Sequence, residues 1–321
     1  GCLMTKRLGR RACQLTTMAC SLRICQFNVL APSARICAPL DSVPWRKRHT
    51  AICEEILKLS PDIVCFQEFD FAPSSEGFQD LYSQFFGQRY SLHLKRRTRG
   101  KPEGLALLIA KDSFSDVEVE AIELEPGYCD RVMQLATGTH RQSGRRFRVA
   151  NTHLTVAHAT NNHDIPAARP EQMAQVLHYV TKGSGLVDAS LICADMNCDH
   201  LETAPPNSRG SCFQYTAAQV SRPVDMTFQK GFLSALHEAL PGVRPISHTS
   251  SYSQDGCVDY VFFQPHAPLK MRHAFLHPED VPPDTHWSSS AGWGQGENTL
   301  SDHRPLIVDF DVLPPIGAEA E

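Results

Sequence analysis

The chain has 321 residues, 42% hydrophobic and 21% charged, enough for one large domain or two small ones. A net charge of -4 and a pI near 6.4 exclude the long-range basic field of a general nucleic-acid binder, so an anionic substrate must be met by local patches and by metal. No apolar run approaches the roughly 18–20 residues of a membrane span, and twelve cysteines without a C-x-x-C pair point to reduced thiols and an intracellular compartment rather than a disulfide framework.

Residues 1–20 carry Lys6, Arg7, Arg10 and Arg11, and no acid precedes Asp41. That composition suits an organelle transit peptide, such as a mitochondrial one, or a flexible tail on a cytoplasmic protein. Gly1 in place of Met suggests a trimmed or partial chain. A strand is predicted at 21–30. A helix follows at 45–60, where Ile52, Ile56 and Leu59 recur at helical spacing and Ser60-Pro61 stops it. Residues 63–66 form a short apolar strand, and 78–86 suit a helix. Strands at 90–94 and 105–110 flank a basic loop at 95–101. The β pattern continues at 117–124, 133–139 and 146–156, with Ser143-Gly144 as a hairpin turn. An amphipathic helix at 170–182 sets Met173, Val176, Leu177 and Val180 on one face. A buried strand at 190–194, a helix at 228–240 and strands at 258–263, 271–276 and 306–312 complete the reading. Segments 202–226 and 278–298 read as long excursions, either lids or disordered insertions. No linker divides residues 21–313, which are expected to form one two-sheet core covered by helices, with 314–321 as a tail.

Polar residues recur where apolar strands end. Asn28 follows 22–27, Gln67-Glu68 follows 63–66, Asp195-Met196-Asn197 follows 191–194, and Ser301-Asp302-His303 runs into 306–308. Strand ends in layered α/β proteins converge on one rim, so four such ends can assemble one site. Carboxylates, amides and a histidine suit a hard divalent cation and phosphate rather than a thiolate-bound metal. Glu68 can coordinate Mg²⁺, with Mn²⁺ as the alternative, or merely cap the following segment. Asp195 and Asn197 point to one side of an extended chain. The first could accept a proton from water and the second could hold a phosphoryl oxygen, although an Asx turn would use the same residues. His303 could donate to phosphorane charge or relay a proton, oriented by Asp259, which leaves Asp302 for metal. Asn151 and His153 share a strand face and could both reach phosphate, or form a half-buried polar edge. Arg169 could fork onto a phosphate, with Gln172 beside it. The basic run that starts at Lys95 either grips a nucleic-acid backbone or faces water.

These clusters, in the order Asn28, Gln67-Glu68, Asn151-Thr152-His153-Leu154, Asp195-Met196-Asn197, Asp259-Tyr260 and Ser301-Asp302-His303, resemble the endonuclease/exonuclease/phosphatase superfamily over residues 21–312. Within it, Trp45-Arg46-x-Arg48, Pro61 to Glu68, Glu103-Gly104-Leu105-Ala106 and the Arg169-x-x-Gln172 pair are similar to the nocturnin and carbon-catabolite-repressor type of poly(A) nucleases. The resemblance implies a four-layer α/β sandwich of two mixed β-sheets packed face to face with helices outside. It implies Mg²⁺-dependent phosphoester hydrolysis, with Glu68 on metal and Asn28 and Asp302 beside it. Asp195 would activate water, Asn197 and His153 would contact phosphate, and His303, held by Asp259, would stabilise the transition state. Thr155 stands where nocturnin-like proteins tend to be basic.

The leading expectation is a 3′→5′ exoribonuclease of deadenylase type acting on RNA. The alternative keeps the chemistry and shrinks the substrate to a small nucleotide, such as an NADP(H) 2′-phosphate or 2′,5′-oligoadenylate. A nucleotide- or RNA-binding protein without turnover is a third, more distant reading.

Overall fold

Alternation along each strand decides which side chains meet between the sheets. In β1 (Cys20–Asn28) and β2 (Ile63–Asp70), Leu22, Ile24, Ile63 and Cys65 enter the core between the sheets. Cys25, Phe27, Val64 and Phe66 turn the other way, toward Ile52 and Ile56 of α1 (Trp45–Leu59) and Tyr82 and Phe86 of α2 (Phe78–Phe86). A strand apolar on both faces must be covered on both, and that requirement produces the layers.

The computed structural model describes residues 20–33, 44–126, 129–155, 165–199, 217–248, 256–285 and 300–313. After β2 and α2 come β3 (Tyr90–Arg96), β4 (Glu103–Ala110), β5 (Phe114–Glu123), β6 (Val132–His140) and β7 (Arg146–His153). They are followed by α3 (Ile165–Thr181), β8 (Ala189–Asp195), α4 (Ala217–Gln229), β9 (Leu233–Ser234) and α5 (Ala235–Ala239). The strands β10 (Asp259–Phe263), β11 (Leu269–Leu276) and β12 (Leu306–Val312) close the chain. The two six-stranded sheets have the orders β11-β12-β1-β2-β4-β3 and β5-β6-β7-β8-β10-β9. Both are mixed: β1–β2 is parallel in one and β7–β8 in the other, and the remaining pairs are antiparallel. This is the expected α/β sandwich.

Two local devices shape the sheet that carries β1 and β2. A Cβ on Gly104 would stand 2.2 Å from the Lys95 carbonyl oxygen, so only glycine lets β3 and β4 pair there. Buried Arg48 on α1 donates to the carbonyls of Val29 (2.9 Å), Leu30 (2.5 Å) and Leu300 (2.8 Å), tying the exit of β1 to the segment that carries Ser301.

Some expectations change. The helix predicted at 228–240 is instead the end of α4, the two-residue β9 and the short α5. Phe232 and Ser234 are buried, and Leu233 and Ser234 pair with β10, so tertiary pairing overrides helical spacing. The helix expected from Pro170 begins at Ile165 and carries Pro170 inside it. Part of the 202–226 excursion is helical, since α4 starts at Ala217. Residues 1–19, 200–216, 286–299 and 314–321 lie outside the described residues, so the proposed leader, the tail and most of both excursions do too. No described helix is long and apolar enough to cross a membrane. Cys25, Cys53, Cys65 and Cys193 are buried free thiols.

Candidate active site

Both parallel strand pairs end on one rim. Asn28 stands beside Gln67, and His153 beside Asp195. Antiparallel β10 begins there with Asp259 opposite Asp195, and Ser301 to His303 precede β12 at the same end. A buried hydrogen-bonded tier lies beneath. Gln26 Nε2 donates to Gln67 Oε1 (2.7 Å) and to Asp259 Oδ1 (3.0 Å), and Gln67 Nε2 donates to Asn151 Oδ1 (2.8 Å). This tier joins the two sheets below the rim.

Glu68 reaches the rim through a β-bulge. Strict alternation would point it to the helix-covered face, but the β2–β4 register slips between Gln67 and Phe69, and Glu68 takes φ 52°. A bulge re-aims one side chain, and the left-handed backbone of a non-glycine residue is a strained conformation characteristic of functional sites. Burial, then the nearby charge of Asp302, push the Glu68 carboxyl up to about 7, against the hydrogen bond from Asn28. Asn28 Nδ2 donates to Glu68 Oε1 (3.0 Å) and to Asp195 Oδ2 (2.9 Å), while its Oδ1 accepts the Leu30 N–H (3.0 Å). Its amide thus gathers the carboxylates, and one lone pair of its oxygen remains for a cation.

Asp195 is 1% exposed and its carboxyl is raised, by burial first, with His303 acting in the opposite sense. Its Oδ1 accepts the Asn197 backbone N–H at 3.0 Å, the Asx turn allowed by the sequence, and Asn197 sits at φ 49°. The Asn197 amide donates to His153 Nε2 (2.7 Å) and to the Leu154 carbonyl (2.9 Å). His153 is held well below its usual range by burial, then by Arg131 and Arg97. Neutral imidazole accepting at Nε2 carries its proton on Nδ1. His153 Nε2 is also 3.5 Å from Asp195 Oδ2.

The His303 Nδ1 lies 2.8 Å from Asp259 Oδ2, and its Nε2 lies 3.9 Å from Asp195 Oδ2. Burial opposes charge on this ring, but the Asp259 carboxylate outweighs it and pushes the group up to about 10, so the ring is an imidazolium at neutral pH. Asp259 has no exposure and also accepts from Ser247 Oγ at 2.7 Å. His248 packs against His303, with ring centroids 4.3 Å apart, and its Nε2 is 3.7 Å from Asp302 Oδ2. Burial raises the Asp302 carboxyl, but the hydrogen bond from His248 and the charge of His303 prevail and hold it at about 2.

Eight of the expected residues are therefore brought together: Asn28, Glu68, His153, Asp195, Asn197, Asp259, Asp302 and His303. The other four occupy different positions. Asn151 is wholly buried in the lower tier. Its Nδ2 donates to the carbonyls of Phe66 (3.3 Å) and Ala106 (3.2 Å) and to Gln134 Oε1 (3.1 Å), so its amide is spent on the sheet-to-sheet tie. Gln172 is spent on Thr155, donating to its Oγ1 (2.9 Å) and accepting its N–H (3.1 Å). Buried Arg169 donates to the Asn197 carbonyl, and so holds the turn after β8. Lys95 stands on edge strand β3, 4.0 Å from Glu123. Sequence reasoning missed Gln26, Ser247, His248 and Arg131. Only Gln26 and Arg131 carried a usable signal, as polar residues within or just ahead of an apolar strand.

The donor set fits a hard divalent cation. Glu68 and Asp302 present oxygen ligands, and the Glu68 carboxyl is raised by burial and then by the charge of Asp302, both of which a bound cation would offset. Ligand atoms of His248, Asp302 and His303 lie within 4.8 Å of one another, as do those of Asp195, Asp259 and His303. No described cysteine belongs to either group.

Comparison with known proteins agrees with this geometry. The chain is 25% identical to nocturnin of Drosophila melanogaster over 297 residues, covering 86% of this chain and 44% of that protein. It is 31% identical to carbon catabolite repressor protein 4 homolog 3 of Arabidopsis thaliana over 160 residues, covering 49% of this chain and 34% of that one. The chain thus spans less than half the length of either relative. The crystal structure of ANGEL2, a 2′,3′-cyclic phosphatase, superimposes with a TM-score of 0.67 at 19% identity, over 91% of this chain and 95% of that one, and shows the same fold. The profile of the Endonuclease/Exonuclease/phosphatase family matches residues 25–303, from β1 to His303 itself, and the chain belongs to that family, in its nocturnin and carbon-catabolite-repressor branch.

Proposed function

We propose that the protein is a divalent-metal-dependent phosphoester hydrolase, a 3′→5′ exoribonuclease of deadenylase type. The observation that carries this reading is the opposed pair on one rim: a charged His303 backed by buried Asp259, facing Asp195 at 3.9 Å. A carboxylate base and an imidazolium donor held this close can act on one phosphoryl centre, the first on the attacking water and the second on the charge that builds on phosphorus.

Glu68 and Asp302 would hold the cation, with the free lone pair of Asn28 beside them, and the bound ion would neutralise charge on the phosphate. Asp195 accepts the proton of the attacking water through a carboxylate fixed by Asn28 and by the Asn197 N–H. Neutral His153 accepts one hydrogen of the Asn197 amide and the Leu154 carbonyl accepts the other, which fixes the turn that presents Asp195. The His303 imidazolium donates to the charge that builds on phosphorus, and Asp259 keeps its Nδ1 engaged so that Nε2 faces the reaction.

The test is product analysis by mass spectrometry on an A-tailed RNA with Mg²⁺, with and without EDTA. Stepwise release of AMP from the 3′ end, abolished by EDTA, is expected. Intact RNA at stoichiometric enzyme overturns the reading. Parallel reactions with NADP(H) and 2′,5′-oligoadenylate separate the substrates: product confined to these replaces RNA by a small nucleotide.

A further inference from the structure

Arg131 takes no part in the steps above, yet it is a buried cation near the site whose N–H groups are left unsatisfied. It is 6% exposed, and its Nε and Nη1 are buried without a hydrogen-bond partner among the described residues. A guanidinium stays charged when buried, so unpaired N–H groups of this kind carry the desolvation cost of an ion.

The register places it. Met133 of β6 pairs with Thr152 of β7, and His153 of β7 pairs with Asp195 of β8. Arg131, two residues ahead of Met133, therefore belongs to the rim that carries His153 and Asp195. Its segment is pinned. The Arg131 carbonyl accepts the Leu124 N–H (2.9 Å), and Arg97 donates to the carbonyls of Asp130 and Cys129 at 3.3 Å each. The neighbouring cations already have partners: Arg97 is paired with Glu103, and Arg99 and Lys101 lie 3.5 and 3.9 Å from Asp130. Among the described residues no carboxylate is paired with Arg131, and its charge acts on His153 at the rim. Burial first, then Arg97, lower it to about 10, while Glu103 acts on it ahead of Glu68 and Asp195 in the other direction.

We propose that Arg131 is a specificity-determining residue that receives the phosphate next in line to the one being cut. The site is then built for a chain carrying at least two phosphates in series. The planar fork of arginine matches two phosphate oxygens, and a dry setting strengthens the contact. The inference rests on the ribonuclease reading and names the feature of the polymer that the site measures.

The experiment pairs a change in the protein with a change in the ligand. The full chain in EDTA, which prevents turnover, is titrated with fluorescent hexaadenylate. The phosphate preceding the 3′-terminal linkage is either native or a neutral methylphosphonate. The wild type should bind the native oligomer about tenfold or more tightly than the neutral one. Arg131→Gln should bind the two alike, and Arg131→Lys, which keeps the charge without the fork, should fall between. Because each ratio is taken within one variant, partial misfolding does not mimic the effect. An unchanged wild-type ratio in R131Q overturns the proposal, as does a wild type that ignores the neutral substitution or binds neither oligomer. Hydrolysis of the native hexaadenylate in Mg²⁺ is scored separately. Cleavage without coupling sinks only the role of Arg131, and coupling without cleavage sinks only the ribonuclease reading.

Discussion

The amide of Asn28 lies 2.9 Å from Asp195 Oδ2, a contact that joins β1 of one sheet to the end of β8 in the other. The same amide holds Glu68 at 3.0 Å, so one side chain spaces two carboxylates that would otherwise repel. Asn28→Ala should lower kcat/KM by about 10²-fold, the range seen when a key positioning or electrostatic donor is lost. Steady-state kinetics at saturating Mg²⁺ check this, and a loss below threefold would show that Asn28 is not needed to space them.

Glu68 sits in a left-handed backbone conformation with the charge of Asp302 nearby. Glu68→Gln removes the repulsion with Asp302 and should raise the melting temperature in EDTA at pH 8, while lowering turnover in Mg²⁺ by about 10²-fold or more. Mg²⁺ should stabilise the wild type more than the variant, because only the wild type offers the second carboxylate. Equal melting temperatures in EDTA would contradict the crowding.

Asp259 and His303 act as one unit, with Nδ1 and Oδ2 at 2.8 Å. Asp259→Asn and His303→Asn should each lower kcat by about 10²-fold or more, and the double variant should be little worse than either alone. Fully multiplicative losses would mean that the two residues work independently.

Asn151 gives a contrast between stability and catalysis. Asn151→Ala leaves the Phe66 and Ala106 carbonyls and the Gln67 amide short of partners inside the protein. Urea unfolding should show a loss of about 2–4 kcal/mol, since unsatisfied buried groups cost roughly 1–3 kcal/mol each. KM should barely move. A KM raised tenfold with unchanged stability would restore Asn151 to phosphate contact.

His49 is fully buried on the inner face of α1, bonded to the Tyr82 hydroxyl at 2.8 Å, and held well below its usual range by burial and then by Arg48. In the unfolded chain it titrates near 6.5. As the pH falls below that value the unfolded state takes up a proton that the folded state refuses, so stability present above pH 6.5 is lost on acidification. Urea midpoints at pH 7.5 and 5.5 should differ less in His49→Gln than in the wild type, by about 1 kcal/mol. Parallel pH dependence in the two proteins would deny His49 that role.

Most strands were legible because their apolar runs are short, unbroken and bounded by polar residues, as in Ile63 to Phe66 and Leu191 to Ala194. The segment after α4 was not, because pairing of Leu233 and Ser234 with β10 is a long-range event that local spacing cannot register. Six of the eight residues that meet on the rim were visible as polar ends of buried strands, His153 as half of a shared strand face, and Asp259 as an acid within a buried strand. Their neighbours Ser247 and His248 were not, since they sit outside named strands and arrive through isolated bridges to Gly256 and His303.

Composition and alternation alone determined that two sheets would share a core and that polar groups would collect where strands end, because a buried strand cannot carry an unpaired charge through its middle. Which side chains meet on the rim was decided only in three dimensions. Asn151 and His153 lie on one strand and one face, yet the first is consumed by the opposite sheet and the second reaches the rim. The bulge at Glu68, the carboxylate behind His303 and the unmatched charge of Arg131 likewise depend on what another part of the chain places within a few ångströms. No stretch of sequence contains that distance.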